Sequence, residues 1–370
     1  MKIVHIVPNH SVFNRTVFAF FENNFKEFDF SFRVARRKKG EQIQNVPSSV
    51  DVVQMDSLSH SLETIIAFAE QYDFLVFHSM FLSPLVKLAI RAKYPNILQK
   101  IVWIAWGYDV YLPNETTILG LAKNLVKKFA MSVFERQIPY FIAIHPVDQI
   151  AYKRKIKGQA KLFYAPYRTS SGIPQQYREY CPVSIKEKKA EGKPIVIQVG
   201  HRADKILRHF EVLDRLKPYA QEKIQILLPL NYGDASYGDS VANYANALFP
   251  GKTRILRDVL PMEEYLAILS DVDIFLLNSA RQIALGNIHK MLLMQKKIYL
   301  PKDSVLSSYY REQEIPVCDI EEIGQVCFKE FCDEVDMTTG RQYIEDYYNT
   351  DAKEVWRSVF QQIFPDKAVE

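Results

Sequence analysis

Cysteine is scarce in this chain: four residues in 370, Cys181, Cys318, Cys327 and Cys332, with no CxxC pair among them. That spacing argues against a disulfide framework and against a zinc site, so reduced thiols and no metal are expected. Long apolar runs are also missing. The stretch Phe74 to Phe77 is strand-sized, far below the roughly 20 residues a spanning helix needs, so any membrane contact is expected to be peripheral. The N-terminus runs directly into a β-branched stretch, without the basic region, apolar core and small-residue cleavage site of a signal peptide, which points to the cytoplasm. Neither GxGxxG nor GxxxxGK[ST] occurs, against an ordinary dinucleotide site and against P-loop phosphoryl transfer. No cofactor and no nucleic-acid partner are expected, and there is no internal repeat or low-complexity segment.

What is present is an ordinary globular composition, 48% hydrophobic and 24% charged, on a chain long enough for two cores. The net charge of +4 is unevenly spread. Up to Ile185 there are 23 Lys and Arg against 14 Asp and Glu; beyond it there are 24 against 29. Basic clusters at Arg36 to Lys39, Lys127-Lys128 and Lys153 to Lys155 with Lys157 suit anionic headgroups or a diphosphate, or equally a solvated surface.

Short Val/Ile/Phe-rich runs alternate with longer amphipathic stretches, the pattern of βα units around a mostly parallel sheet. Seven strands are expected between Lys2 and Tyr164 and another set from Lys193 to Leu300, giving two doubly wound, Rossmann-like α/β domains. The expected boundaries are an N-terminal domain over 1–180, a polar linker over 181–194, a second domain over 195–345, and a tail over 346–370 that returns to the first domain. Expected helices include Thr116 to Arg136 and Val147 to Lys157. The first of these carries an apolar stripe with interleaved lysines, which fits either core packing or a membrane-surface helix.

Ligands of open parallel sheets bind beyond the carboxyl ends of the strands. In the second half those ends read Gly200-His201-Arg202, Leu230-Asn231-Tyr232, and Arg281-Gln282 followed by Gly286-Asn287. A glycine permits close backbone approach and a guanidinium forks onto diphosphate oxygens, so these are the candidate nucleotide-diphosphate residues. In the first half, His78 and Asp109 are the candidate general bases. Asn14 and Arg15, with Trp106, Gly107 and Arg168, are candidates for the acceptor. Asp271 and Asp273 sit where a strand begins, at the edge away from ligands, so they are not read as metal ligands.

Several short motifs in the same order resemble the bacterial lipid-linked N-acetylfucosamine-type transferases, glycosyltransferase family 56. They are Asn14-Arg15-Thr16 with Phe20-Phe21, Phe77-His78 with Phe81, Trp103 with Trp106-Gly107 and Asp109-Val110-Tyr111, and Tyr164 with Pro166 and Arg168. Val199-Gly200 with Asp204 and His209, Leu228-Pro229 with Tyr232, Glu264-Tyr265-Leu266, and Ala280-Arg281-Gln282 with Gly286 continue the series. The resemblance implies a GT-B fold whose two domains face a central cleft, a dTDP-sugar donor in the C-terminal domain, no required metal, and an undecaprenyl-diphosphate-linked saccharide at the N-terminal domain. The chain departs from the pattern at His201, Arg202 and Arg208, all at the donor corner. The expected function is therefore transfer of a deoxy-amino sugar to a lipid-linked saccharide of a surface polysaccharide, with an anionic inner-membrane surface as a further partner. A nucleotide-sugar epimerase of the same architecture and a non-catalytic nucleotide-sugar-binding subunit are the alternatives.

Overall fold

Two all-parallel sheets organise the chain. The computed structural model describes residues 1–9, 11–43, 46–48, 50–111, 118–167, 177 and 184–364, with the backbone alone for 11–16 and 118. It divides into two compact units, Met1–Ser171 with Asp351–Glu370, and Gly172–Thr350.

The first unit is built on β1 (Lys2–Pro8), β2 (Asp29–Arg36), β3 (Asp51–Gln54), β4 (Phe74–His78), β5 (Ile101–Ala105), β6 (Tyr140–Ala143) and β7 (Lys161–Tyr164). Their order is β3-β2-β1-β4-β5-β6-β7. β1 pairs with β2 on one side and β4 on the other, so the winding direction reverses there and the carboxyl ends of β1 and β4 flank the switch point, where ligands of this architecture bind. β4, β5 and β6 are buried along almost their whole length, as expected of strands covered on both faces. Behind them Lys87 and Glu135 form an ion pair with side chains only 4% and 0% exposed.

The second unit is built on β8 (Ile195–Val199), β9 (Ile224–Pro229), β10 (Thr253–Leu256), β11 (Ile274–Leu276), β12 (Lys297–Leu300) and β13 (Cys318–Asp319). Their order β10-β9-β8-β11-β12-β13 puts the reversal between β8 and β11.

Three sequence expectations change. The stretch 181–194 is not a linker over its described part: the chain divides at 171/172, and Ile185–Ala190 is a helix of the second unit. Its polar residues build it. Ser184 Oγ accepts from the Glu187 N–H at 3.0 Å, Glu187 accepts from the Ser184 N–H at 2.9 Å, and Lys188 pairs with buried Asp273 at 2.7 Å. Residues 181–183, with Cys181, lie outside the described residues. The tail is two helices, Thr338–Asn349 and Ala352–Ile363, broken where Asp351 accepts from the Lys353 N–H at 2.9 Å as an N-cap. The break is also a change of unit, since the last helix belongs with the first sheet and buries Trp356 and Phe360 among Phe21, Phe25 and Phe28. Burial of each such ring contributes about 1.5–3 kcal/mol. Finally, the helix expected over Val147 to Lys157 is α-helical only for Pro146–Ala151 and continues as a wide π turn, Tyr152–Ile156.

Candidate active site

At the end of β4 the chain adopts a strained conformation. Ser79 has φ of +71°, uncommon for any residue but glycine and a recurrent feature of functional loops. Its N–H donates to Ile104 O at 2.7 Å and its hydroxyl to Tyr108 at 2.8 Å, tying the β4 corner to the β5 corner. Gly107, with φ of +82°, opens the short turn Tyr108–Val110, which returns Asp109 to the strand ends. The Asp109 carboxylate accepts from Met80 N at 2.8 Å, Trp103 Nε1 at 2.7 Å and Trp106 N at 3.1 Å. Burial pushes this carboxyl up, against the pull of those three donors.

His78 is fully buried and both its nitrogens are engaged. Nε2 shares a proton with His5 Nδ1 at 2.8 Å, and Nδ1 is 2.7 Å from the Tyr167 hydroxyl. Burial pushes its imidazole down to about 3. The expected base is therefore a neutral joint between β1, β4 and the segment after β7, with Tyr167 stacked on Trp356 at 5.4 Å.

Asp148 carries no mark in the sequence. It follows β6 in the first turn of the helix Pro146–Ala151, is fully buried, and neither carboxyl oxygen has a hydrogen-bond partner among the described residues. Burial, reinforced by the Asp109 charge, holds it well above the usual carboxylate range. Only its proximity to Asp109 marks it, and nothing in the linear spacing gives that. Asn14 and Arg15 fall inside a helix, Ser11–Asn24, and their side chains, with Arg168, lie outside the described residues.

In the second unit, β8 and β9 end in loops held together by a parallel bridge, Ala203 to Gly233, with Asp234 N donating to Ala203 O at 2.8 Å. Gly233 allows this approach, because a Cβ there would fall 2.1 Å from the Ala203 oxygen. Gly200 has φ of +66° and a Cβ there would lie 2.5 Å from His209 Nε2; the missing side chain is the space this imidazole occupies. His201 makes an edge contact with Tyr232 at 6.4 Å. Arg202 pairs with Asp204 at 2.5 Å, and the Arg281 charge also lowers the Asp204 carboxyl, so the β8 corner and the loop after β11 share one electrostatic neighbourhood.

Four buried atoms at this edge have no hydrogen-bond partner among the described residues: His201 Nδ1, Arg202 Nε, His209 Nε2 and Asn231 Oδ1. Native proteins rarely leave such groups unmet. Burial pushes His201 down to about 3 and His209 to about 4.

A profile described as 4-alpha-L-fucosyltransferase, glycosyl transferase group 56, matches residues 1–362. The chain belongs to glycosyltransferase family 56. Solved structures agree with it in fold. Sucrose-phosphate synthase from Thermosynechococcus elongatus superposes with a TM-score of 0.62 at 13% identity, covering 99% of this chain and 100% of that one. HepE of Anabaena in complex with UDP gives 0.61 at 12%, covering 98% and 99%, and a UDP-forming trehalose-phosphate synthase from Burkholderia xenovorans gives 0.61 at 11%, covering both chains fully. The architecture is GT-B, and the family 56 chain is a nucleotide-sugar glycosyltransferase.

The remaining positions of this glycosyltransferase sort by burial. Leu230 is a core side chain, whereas the Tyr232 ring is 50% exposed. Asn287 Oδ1 accepts from Tyr265 at 3.1 Å. That tyrosine, with Gln198 beneath it, completes the edge, and burial pushes its hydroxyl up to about 12. Gln282 is half-buried in the loop after β11. Gly286 opens the nine-residue helix Leu285–Leu293, and a Cβ there would meet only Lys290 Nζ at 3.8 Å, so internal packing does not require glycine. Asp273 is used structurally at the amino end of β11, accepting from Val196 N at 2.8 Å. Among the described residues no three His, Cys, Asp or Glu cluster as metal ligands, and no helix is long and apolar enough to cross a membrane.

Proposed function

We propose that the chain moves a deoxy-amino sugar from a dTDP-linked donor to a polyprenyl-diphosphate-linked saccharide of a surface polysaccharide, working at an anionic inner-membrane surface. The observation that carries the donor half is the set of unmet buried polar atoms around Gly200, Arg202 and Asn231 at the β8 and β9 carboxyl ends. A nucleotide diphosphate supplies acceptors for the imidazole and guanidinium N–H groups and a donor for the amide oxygen. Arg281 and the N-terminus of Leu285–Leu293, left accessible by Gly286, offset the charge of the leaving diphosphate. The half-exposed Tyr232 ring borders the nucleobase. HepE is described in complex with UDP and the trehalose-phosphate synthase as UDP-forming, which makes UDP the comparison nucleotide.

In an inverting transfer the acceptor hydroxyl oxygen attacks the anomeric carbon. The carbon–oxygen bond to the diphosphate breaks with its electron pair leaving on the phosphate, and the hydroxyl proton passes to a carboxylate. Asp109 is the better base of the two sequence candidates. Its Oδ1 accepts a single 3.1 Å bond and so keeps a lone pair, while His78 has neither nitrogen available. Burial and the Asp109 charge push the Asp148 carboxyl up, which disfavours ionisation of both carboxyls together, the usual way two acids in one site are given different roles.

The test is a thermal-shift panel with dTDP, UDP, GDP and CMP on the wild type and on Arg281→Ala. Ligand at about 100 times its Kd stabilises by about 2.7 kcal/mol. A dTDP-selective shift lost in Arg281→Ala is expected; a shift with another nucleotide reassigns the donor, and no shift with any removes the site.

A further inference from the structure

The helix Ile118–Val133 carries an unusual surface. Leu119, Leu121, Leu125, Val126 and Phe129 are between 47% and 70% exposed, while Ala130 and Met131 turn into the core. Beside it lies a cavity of about 710 Å³ lined by Lys128, Arg136, Arg154, Lys155 and Lys157, with no carboxylate among the described residues of its wall. The π turn Tyr152–Ile156 and the left-handed Lys157, with φ of +55°, bring the last three cations to the same wall. Arg136 is fixed by donating to Ile156 O at 2.7 Å, and Lys155 Nζ lies 4.4 Å over the Tyr111 ring, next to the turn that carries Asp109. Val110, adjoining that aspartate, also lines the cavity.

Five cations with no acid among the described lining residues, set beside five solvent-facing apolar side chains, are complementary to one kind of ligand: an amphiphile with a multiply charged phosphate head and a hydrocarbon tail. We propose that this cavity holds a lipid-borne diphosphate while the apolar stripe of Ile118–Val133 seats in the bilayer that carries it. A singly charged phospholipid head offsets one of the five cations and the diphosphate of a lipid-linked saccharide offsets two, which is why the diphosphate is preferred. The assignment rests on the lipid-acceptor reading above and gives that acceptor a place.

The test is flotation of the full chain with three vesicle types: phosphatidylcholine alone, phosphatidylcholine with phosphatidylglycerol, and phosphatidylcholine with a C55 polyprenyl diphosphate at matched surface charge. The wild type is expected to bind the diphosphate vesicles at least tenfold more tightly than the phosphatidylglycerol ones. The triple variant Lys128→Gln, Arg154→Gln, Lys157→Gln loses that preference, and Leu125→Gln with Phe129→Gln weakens binding to every vesicle. Both variants keep the nucleotide-induced thermal shift, which reports an intact second unit. A triple variant that retains the preference, or a wild type without one, overturns the cavity assignment and leaves the membrane reading standing. A wild type that binds no vesicle overturns both. A sedimentation shift from dimer to monomer in the Leu125/Phe129 variant shows that the stripe pairs copies of the chain and also overturns the proposal.

Discussion

His78 and Asp109 at the carboxyl edge of the first sheet and four residues at that of the second are in opposite states, while Asp148 at the first edge is unpartnered like the latter. At the first, His78 and Asp109 are tied into the frame: both His78 nitrogens and both Asp109 oxygens are engaged by neighbouring strands and turns. At the second, His201, Arg202, His209 and Asn231 each keep a buried polar atom with no partner among the described residues. Residue type at a strand end therefore does not distinguish a joint from a ligand contact; the hydrogen-bond inventory does. An engaged corner resists change and an unmet one responds to ligand.

The largest expected effect is acid sensitivity. His78 and His201 are pushed down to about 3 and His209 to about 4, from an ordinary value of 6.5. Below 6.5 the unfolded chain takes up protons that the folded chain refuses, so stability is full above that pH and is lost as the pH falls toward 3 to 4. Each tenfold reduction in an imidazole's proton affinity on folding is worth about 1.4 kcal/mol, so the expected loss is several kcal/mol in urea titrations carried from neutral pH down to about 4. Histidine NMR sharpens the comparison: dTDP should move the His201 and His209 resonances and leave His5 and His78 in place. Movement confined to His78 would invert it.

Next comes Asp109→Ala. It strands the Met80, Trp103 and Trp106 donors, and at about 1–3 kcal/mol for each unmet group the expected loss is about 4 kcal/mol by chemical denaturation, with the dTDP shift of the folded fraction unchanged. A loss below about 1 kcal/mol would mean that the corner is not a structural joint. The smallest is Gly200→Ala, which meets both an unfavourable φ and the His209 imidazole. About 2 kcal/mol of destabilisation is expected together with loss of the dTDP shift. Retention of that shift would separate Gly200 from the donor.

Much of the fold is legible in the sequence because strand and helix periods are local. The short runs Ile101–Ala105, Thr253–Leu256 and Lys297–Leu300 form strands, and Pro84 stands in the first turn of the helix Pro84–Lys93. The stretch 184–190 misleads because a run of Lys and Glu looks solvated until its capping box and the Lys188–Asp273 pair are seen. The proposed donor positions Gly200, Arg202 and Asn231 follow from strand ends alone. Asp148 and the cation-lined cavity do not, since their signals are proximity to Asp109 from far along the chain and a turn that departs from α geometry.

By itself the sequence determined the alternation of elements, the parallel two-sheet class and the family, because each depends on short-range pattern and on the order of short motifs. The tertiary structure decided which polar side chains are spent holding the frame and which buried polar atoms stay without a partner among the described residues. That outcome depends on whether each buried donor and acceptor meets a partner from a distant segment, and no local pattern encodes it.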